Sequence, residues 1–261
     1  MVLNSPAQHR PTMTTDATTA LPRSTQWLLA LVAALLLLTL MWDAAGLDLP
    51  AMLQIGTPQG FALRHQHLLE QVLHDGVRKV STVMFIVLAL WALRPDRHPS
   101  TGGPSRRERL TVLALVTLSL LAISLAKYLS RSSCPWEWSN FGGRAVYTSH
   151  WNLLMSDGGG GRCFPGGHAS GSLAFFALCL PWLWSPSAAR RAQVGWGWFG
   201  LVVLAGLVSG ITQTLRGAHP PSHTLWTGVI CAAVALGGWA LALPTLRAAQ
   251  VTAEPASPGR S

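Results

Sequence analysis

Apolar residues in this chain occur in long blocks that short polar stretches separate. A soluble domain would spread them at the spacing of helices or strands. A membrane-crossing helix needs roughly 20 residues, or about 17 at the low end. Six blocks approach that length, at residues 27–42, 80–93, 110–126, 169–184, 194–215 and 225–243. The pattern therefore predicts an all-α fold, a six-transmembrane-helix bundle.

Parts of this pattern allow other interpretations. The block at 80–93 is short, so it spans only if it includes residues 76–79, and otherwise it is a buried or re-entrant segment. The block at 27–42 follows two arginines and is also compatible with a signal peptide. Residues 61–74 show helical spacing of apolar positions, which predicts a helix on the outer interface or packed against the bundle.

Composition supports a bilayer environment. The chain is 49% hydrophobic and 11% charged, which is too few charges for an ordinary soluble surface. Its net charge is +9, but the basic residues lie between the apolar blocks and form no stripe, so nucleic acid is not an expected partner. Lysine and arginine are densest around residues 94–109, which predicts that this side and both termini are cytoplasmic. We expect a multi-pass protein of a bacterial inner (cytoplasmic) membrane.

The chain ends differ from the apolar blocks. Residues 1–24 and 247–261 are rich in Ala, Thr, Ser and Pro and lack apolar periodicity. Such composition predicts disordered tails. Residues 25–246 then form one membrane domain, and the loop at 130–167 lies on the outer side.

Ionisable residues gather at the outer ends of the predicted spans. Lys127 ends the third block, His168 opens the fourth, and Arg216, His219 and His223 lie between the fifth and sixth. One such residue is commonly an interfacial anchor. Five residues from three helix ends indicate a functional site.

A glycine-rich run at residues 157–168 leads into the fourth block. The N-terminus of a helix presents unpaired N–H groups, and Gly166 and Gly167 let the backbone approach an anion closely. Together with Arg162 and the nearby basic residues, this run predicts a phosphate pocket. Two histidines of different role suit covalent phosphoryl transfer, in which one attacks phosphorus and the other protonates the leaving oxygen.

A metal site is the competing chemistry, because His219 and His223 are four residues apart. No carboxylate or thiol accompanies them at matching spacing, and Pro220 and Pro221 disfavour a continuous helix through both. We therefore expect neither a metal nor another cofactor.

Three segments resemble the motifs of the type 2 phosphatidic acid phosphatase superfamily, which are Lys-x6-Arg-Pro, Pro-Ser-Gly-His and Ser-Arg-x5-His-x3-Asp. Here they read KYLSRSSCP at 127–135, PGGH at 165–168 and QTLRGAHPPSH at 213–223. The resemblance implies that His219 is the nucleophile that forms a phosphohistidine and that His168 is the acid. It also implies that Lys127 and the backbone N–H groups of Gly166 and Gly167 hold the phosphoryl oxygens, without a metal.

Several phosphate-binding positions depart from the family pattern. Cys134 replaces the arginine of the first motif, Gly166 replaces serine, and Gln213 stands in the arginine position of the third motif. Arg216 is a candidate substitute for that last arginine. The guanidinium missing from the first motif has three candidates, which are Arg131, Arg144 and Arg162.

The third motif also departs at its end, where His223 stands in place of aspartate. A neutral imidazole accepts the N–H of the nucleophile but lacks the negative charge, so we expect weaker activation. A different alignment makes His223 the nucleophile, with Thr227 in the aspartate position. We prefer His219, because the preceding residues then match the usual Gly-x-His.

Cys134 and Cys163 both lie in the outer loop, beside the first and second motifs. An oxidising compartment would allow a disulfide between them. Cys179 and Cys231 lie within apolar blocks and are expected to be packing residues.

The sequence thus predicts a phosphoric ester or diphosphate hydrolase with its active site at the periplasmic ends of helices 3 to 6. Its partner is a lipid phosphate or diphosphate in the membrane, and no protein partner is indicated. A lipid phosphotransferase, for example onto lipid A, would use the same phosphohistidine. The remaining alternatives are a vanadium haloperoxidase, although those relatives are soluble, and a non-catalytic membrane protein that binds phospholipid or an anion.

Overall fold

Helices make up most of the chain. The computed structural model describes residues 21–96, 102–152, 154–185 and 191–253. Within these ranges no β-strand is formed, so the all-α prediction is confirmed. The helices are α1 Arg23–Ala44, α2 Asp48–Leu53, α3 Asp75–Leu93, α4 Arg106–Leu129, α5 Gly167–Leu173, α6 Leu180–Leu183, α7 Ala192–Leu215 and α8 Pro221–Ala253.

In the part of the chain that the structure describes, five helical segments are long and apolar enough to cross a membrane. They are Arg23–Ala44, Leu68–Leu93, Arg106–Leu129, Ala192–Leu215 and Pro221–Ala248. Large apolar side chains are exposed along their outer faces, for example Leu90, Leu125 and Leu204. Lipid would cover these side chains, so the helices indicate a membrane protein.

The predicted fourth span, at 169–184, differs from the other five. The segment Gly167–Leu183 consists of α5, a 3₁₀-helix at Ala174–Cys179 and α6. Pro181 lacks the N–H that would bond to Ala177, whose carbonyl accepts the N–H of Leu180 instead, so the helix is tightened at this point. Phe175 and Phe176 are buried, because α4, α7 and α8 surround the segment. The six-span prediction therefore becomes five long helices around one short apolar segment.

The second span is longer than predicted. A π-helix at Leu68–His74 runs directly into α3. The helical segment therefore covers 26 residues, and it begins before residues 76–79, the predicted extension of this span. The helix predicted over 61–74 forms only in its second half, as the start of this segment.

The C-terminal tail at 247–261, which was predicted to be disordered, is partly helical. Good helix formers such as Arg247 and Ala248 carry α8 to Ala253. The other predicted tail residues lie mainly outside the described ranges.

A capping box begins α4. The Ser105 hydroxyl accepts the N–H of Glu108, and the Glu108 carboxylate accepts the N–H of Ser105 at 2.8 Å. Arg109 then reaches back to Asp96, at 2.8 Å, and to the carbonyl of Trp91. These contacts fix the connection between α3 and α4 at one end of the bundle.

The opposite end carries a cap built from α2 and the loop between α4 and α5. Its small core contains Met52, Phe61, Trp138, Phe141 and Ala145. Asp43, at the end of α1, accepts hydrogen bonds from three rings, which are Trp226 at 2.7 Å, Trp151 at 2.9 Å and His150 at 3.1 Å. The loop is thereby fixed to α1 and α8, and it lies over the helix ends that carry the candidate site.

Candidate active site

Three helix ends bring basic side chains together under this cap. Lys127 lies near the end of α4, His168 is the second residue of α5, and His219 and His223 flank the start of α8. The ring centroids of His168 and His219 are 6.4 Å apart, and those of His219 and His223 are 5.7 Å apart. A Cβ built on Gly167 would lie 3.7 Å from the Lys127 ammonium, which places that cation beside the start of α5.

A tight turn between α7 and α8 presents His219. Gly217 has a left-handed backbone with φ of +73°, and a Cβ there would lie 2.2 Å from the Phe61 ring. After this turn the N–H of Ala218 returns to the carbonyl of Gln213 at 2.8 Å. The turn therefore requires glycine at position 217, and it holds His219 in a buried position.

A disulfide joins Cys134 to Cys163 and lies against His219. The Cys163 sulfur is 3.3 Å from His219 Nδ1. A disulfide sulfur carries no proton, so we assign the proton to Nδ1 as a donor to this weak acceptor, which leaves the lone pair on Nε2. Burial lowers the pKa of His219 well below 6.5, and the charges of Lys127 and His168 lower it further. The ring is therefore neutral at neutral pH and able to act as a nucleophile.

His223 makes a different contact from the one the motif implies. Its Nδ1 lies 3.1 Å from the carbonyl oxygen of Cys163 and donates to it. The predicted hydrogen bond from His219 to His223 is replaced, because the Cys163 sulfur lies against His219 Nδ1. His223 thus fastens the loop onto α8, and Thr227 reinforces this junction by donating to the carbonyls of His223 and Gly166.

The glycines of the second motif have separate roles. The N–H of Gly166 donates to the carbonyl of His223 at 3.0 Å, so it is not available to phosphate as predicted. A Cβ on Gly166 would lie 3.3 Å from that carbonyl, and the absence of one permits this close approach. Gly167 begins α5 beside Lys127. His168 Nδ1 is buried and has no hydrogen-bond partner within the described ranges, so this imidazole keeps a nitrogen for an incoming group.

The predicted arginine candidates have other partners or lie in solvent. Arg216 donates to the Glu70 carboxylate at 2.7 Å and to the carbonyl of Arg64 at 3.0 Å. Arg131 donates to the carbonyl of Leu154 at 3.1 Å, and the Arg162 guanidinium lies 4.9 Å above the Tyr128 ring. Arg144 is exposed in the loop. None of these contacts places a guanidinium against the histidines.

Two further basic residues come from the start of the second span. The His74 ring lies 4.0 Å from the His168 ring, centroid to centroid. His74 and Arg78 line a cavity of about 420 Å³ together with Gly167 and His168. The sequence analysis does not include His74 or Arg78 among the candidate site residues. The spacing of four residues, which places both on one helix face at the site end, was the available signal.

Among the described residues, two clusters have the donor types of a metal site. Cys134, Cys163 and His219 lie close together, but the two sulfurs are bonded to each other and are not thiolates. The other cluster is Asp48, His150 and His223, whose ligand atoms lie within 4.8 Å of one another. Here the Asp48 carboxylate already accepts hydrogen bonds from the backbone and hydroxyl of Ser222 and from the ring of Trp42. Protein donors thus occupy both of its oxygens.

The family model described as "PAP2 superfamily" matches residues 108–246, which is more than half of the chain. The chain belongs to the PAP2 superfamily. The match extends from the first turn of α4 into α8 and includes Lys127, His168, His219 and His223. Members of this superfamily are generally phosphatases, so at a coarse level the protein is a phosphoric ester hydrolase of the kind that acts on lipid-like phosphates. Comparisons with curated proteins and with solved structures gave no match.

Proposed function

We propose that this PAP2 protein removes the terminal phosphoryl group of a membrane lipid phosphate or diphosphate through a phosphohistidine on His219. The observation that carries the proposal is the pair of rings of His168 and His219, 6.4 Å apart, with the Lys127 ammonium beside them. A nucleophile lies about 3–3.5 Å from the atom it attacks, and an acid lies about 2.6–3.2 Å from the oxygen it protonates. The ring separation therefore suits one phosphoryl group between the two histidines.

The reaction has two steps at phosphorus. His219 Nε2 forms a bond to phosphorus while the bond from phosphorus to the leaving oxygen breaks. His168, which the bound phosphate anion keeps protonated, gives that oxygen its proton. Water then attacks the phosphohistidine, His168 takes the water proton, and the phosphorus–nitrogen bond breaks to release phosphate. Lys127 stabilises the charge on the phosphoryl oxygens in both steps, a contribution typically worth about 10²–10³ in rate.

We place the site at the periplasmic surface of a bacterial inner membrane. The support is that Arg94, Arg106 and Arg107 cluster at the end of the bundle opposite the histidines, as the excess of basic residues in cytoplasmic loops requires. The disulfide fits the oxidising periplasm. At this depth the site meets lipid headgroups.

Phosphate release from purified protein tests the proposal. Detergent-solubilised wild type is assayed with a panel of lipid phosphomonoesters and diphosphates, beside His219→Gln, His168→Gln and His223→Gln. We expect His219→Gln to abolish release, His168→Gln to reduce it most for poor leaving groups, and His223→Gln to retain part of it. His67→Gln, which changes an exposed histidine outside the site, is the matched control.

Labelling identifies the intermediate. A substrate with a radiolabelled terminal phosphate should leave an acid-labile, base-stable label on wild type and on His168→Gln, but none on His219→Gln. Release that survives in His219→Gln would contradict the proposed nucleophile. Label that passes to an added lipid acceptor would identify a phosphotransferase, and affinity without turnover would identify a binding protein.

A further inference from the structure

The cavity beside His168 is lined by basic side chains near the histidines and by apolar and hydroxyl side chains farther along its helices. Arg78, His74 and His168 are the basic residues of the lining, and Phe85, Leu120 and Phe175 are the large apolar residues farther along the helices. His219 and His223 are not among its lining residues. The cavity therefore meets the site on the side of the acid. In the proposed reaction, which this inference takes as its basis, that is the side from which the leaving group departs.

Arg78 is the unpaired cation of this cavity wall. Within the described ranges its guanidinium has no hydrogen-bond or ion-pair partner, whereas Arg216 is held by Glu70. A neutral alcohol leaving from a phosphomonoester offers a guanidinium one uncharged acceptor oxygen. A departing phosphate offers it two oxygens, the geometry that arginine recognises best.

The wall beyond Arg78 suits a lipid chain. Arg78, Thr82 and Ile86 follow one another at four-residue spacing on α3, and all three line the cavity while remaining exposed on the outer face of the helix. The Thr82 hydroxyl donates a hydrogen bond to the carbonyl of Arg78. This hydroxyl proton therefore does not need a water molecule as its acceptor. A ligand that follows this stripe meets a cation first and apolar side chains afterwards.

We propose that Arg78 binds the phosphate that leaves, and that the preferred substrate is a membrane lipid ending in a diphosphate rather than in a phosphomonoester. His219 bonds to the terminal phosphorus, and the bond to the bridging oxygen breaks. The bridging oxygen keeps the electron pair and takes the proton of His168. The first product is a lipid monophosphate held by Arg78, and water then releases inorganic phosphate from His219.

Two variants at neighbouring positions test this assignment. Arg78→Gln removes the cation from the cavity, and Lys79→Gln makes the same charge change one residue later, outside the cavity wall. We expect Arg78→Gln to lower kcat/KM for a lipid diphosphate roughly 10- to 100-fold, the range for a lost charge-assisted hydrogen bond. The value for the matching lipid monophosphate should change little, and Lys79→Gln should change neither value. Equal losses on both substrates, or no loss, would overturn the assignment.

A binding measurement keeps the inference separate from the proposed function. The probe is a lipid methylene-bisphosphonate, in which carbon replaces the bridging oxygen, compared with the lipid monophosphonate of the same chain. Wild type should bind the bisphosphonate more tightly, and Arg78→Gln should lose that preference, even if no lipid is hydrolysed. An undiminished preference in Arg78→Gln would overturn the role of Arg78, whereas absent turnover with this preference intact in wild type would overturn only the proposed hydrolysis.

Discussion

Substituting alanine for Gly217 should destabilise the turn that carries His219. A residue with a Cβ pays about 1–2 kcal/mol in the left-handed conformation, and φ here is +73°. The new Cβ would also lie 2.2 Å from the ring of Phe61, a buried residue of the cap core, and such overpacking costs about 1–3 kcal/mol. The sum is about 2–5 kcal/mol. Alanine also restricts the unfolded chain, which returns up to about 1 kcal/mol.

Gly46→Ala isolates the backbone contribution. Its φ is +63°, and nothing lies within 4 Å of an added Cβ. The difference between the two variants is therefore the overpacking cost of about 1–3 kcal/mol, or about 2–12 °C in Tm at about 2–4 °C per kcal/mol. Thermal melting of detergent-solubilised protein, followed by tryptophan fluorescence, measures it.

A second substitution tests the cause. Phe61→Ala makes space for the new Cβ, so Gly217→Ala should cost only the backbone contribution in that background. Equal Tm values for Gly217→Ala and Gly46→Ala would show that contact with the Phe61 ring does not limit this turn. The same would follow if Gly217→Ala were equally destabilising with and without Phe61→Ala.

Three further outcomes are expected. Dithiothreitol or Cys134→Ser should lower the free energy of unfolding by about 3–4 kcal/mol, because the disulfide joins residues that are 29 apart in sequence. Either change should also reduce phosphate release. Identical melting with and without reductant would contradict this prediction. Lys127→Gln should lower kcat/KM about 10²–10³-fold, whereas Arg131→Gln, whose guanidinium reaches only a loop carbonyl, should change it less than about 5-fold; comparable losses would refute the assignment of Lys127. The acid limb of kcat/KM should lie below pH 6.5, since the pKa of His219 is lowered in the folded protein. The free energy of unfolding should also fall as the pH drops below 6.5, because only the unfolded chain takes up the proton there. An acid limb above 6.5 would show that His219 is not the titrating nucleophile.

Sequence was most informative where one local rule decides the outcome. Uninterrupted apolar blocks dictate helices, because only internally bonded backbone is tolerated in lipid. Motif spacing together with alternating span direction anticipated that Lys127, His168, His219 and His223 meet. The pairing of Cys134 with Cys163 depended on geometry that a sequence does not contain.

Tertiary contacts decided the remainder. Gly166 was predicted to donate its N–H to phosphate, but this N–H donates to the carbonyl of His223 instead. The block at 169–184 was apolar enough to span, but Pro181 interrupts its ladder and neighbouring helices bury it. Arg78 was unremarkable in sequence, since a basic residue at a span end usually contacts the interface. Its significance comes only from the cavity that α4 and α5 complete.

The exposed residues from Arg78 to Ile86 on α3 also bear on which substrate concentration sets the reaction rate, the concentration in the membrane or that in the whole volume. Because Arg78, Thr82 and Ile86 line the cavity and are exposed on the outer face of α3, a lipid substrate of the proposed kind would arrive by lateral diffusion within one leaflet and would not have to enter water. The encounter rate then depends on the mole fraction of substrate among the surrounding lipids. Diluting vesicles with buffer should leave the turnover rate unchanged, whereas diluting the substrate with neutral lipid at constant volume should lower it in proportion.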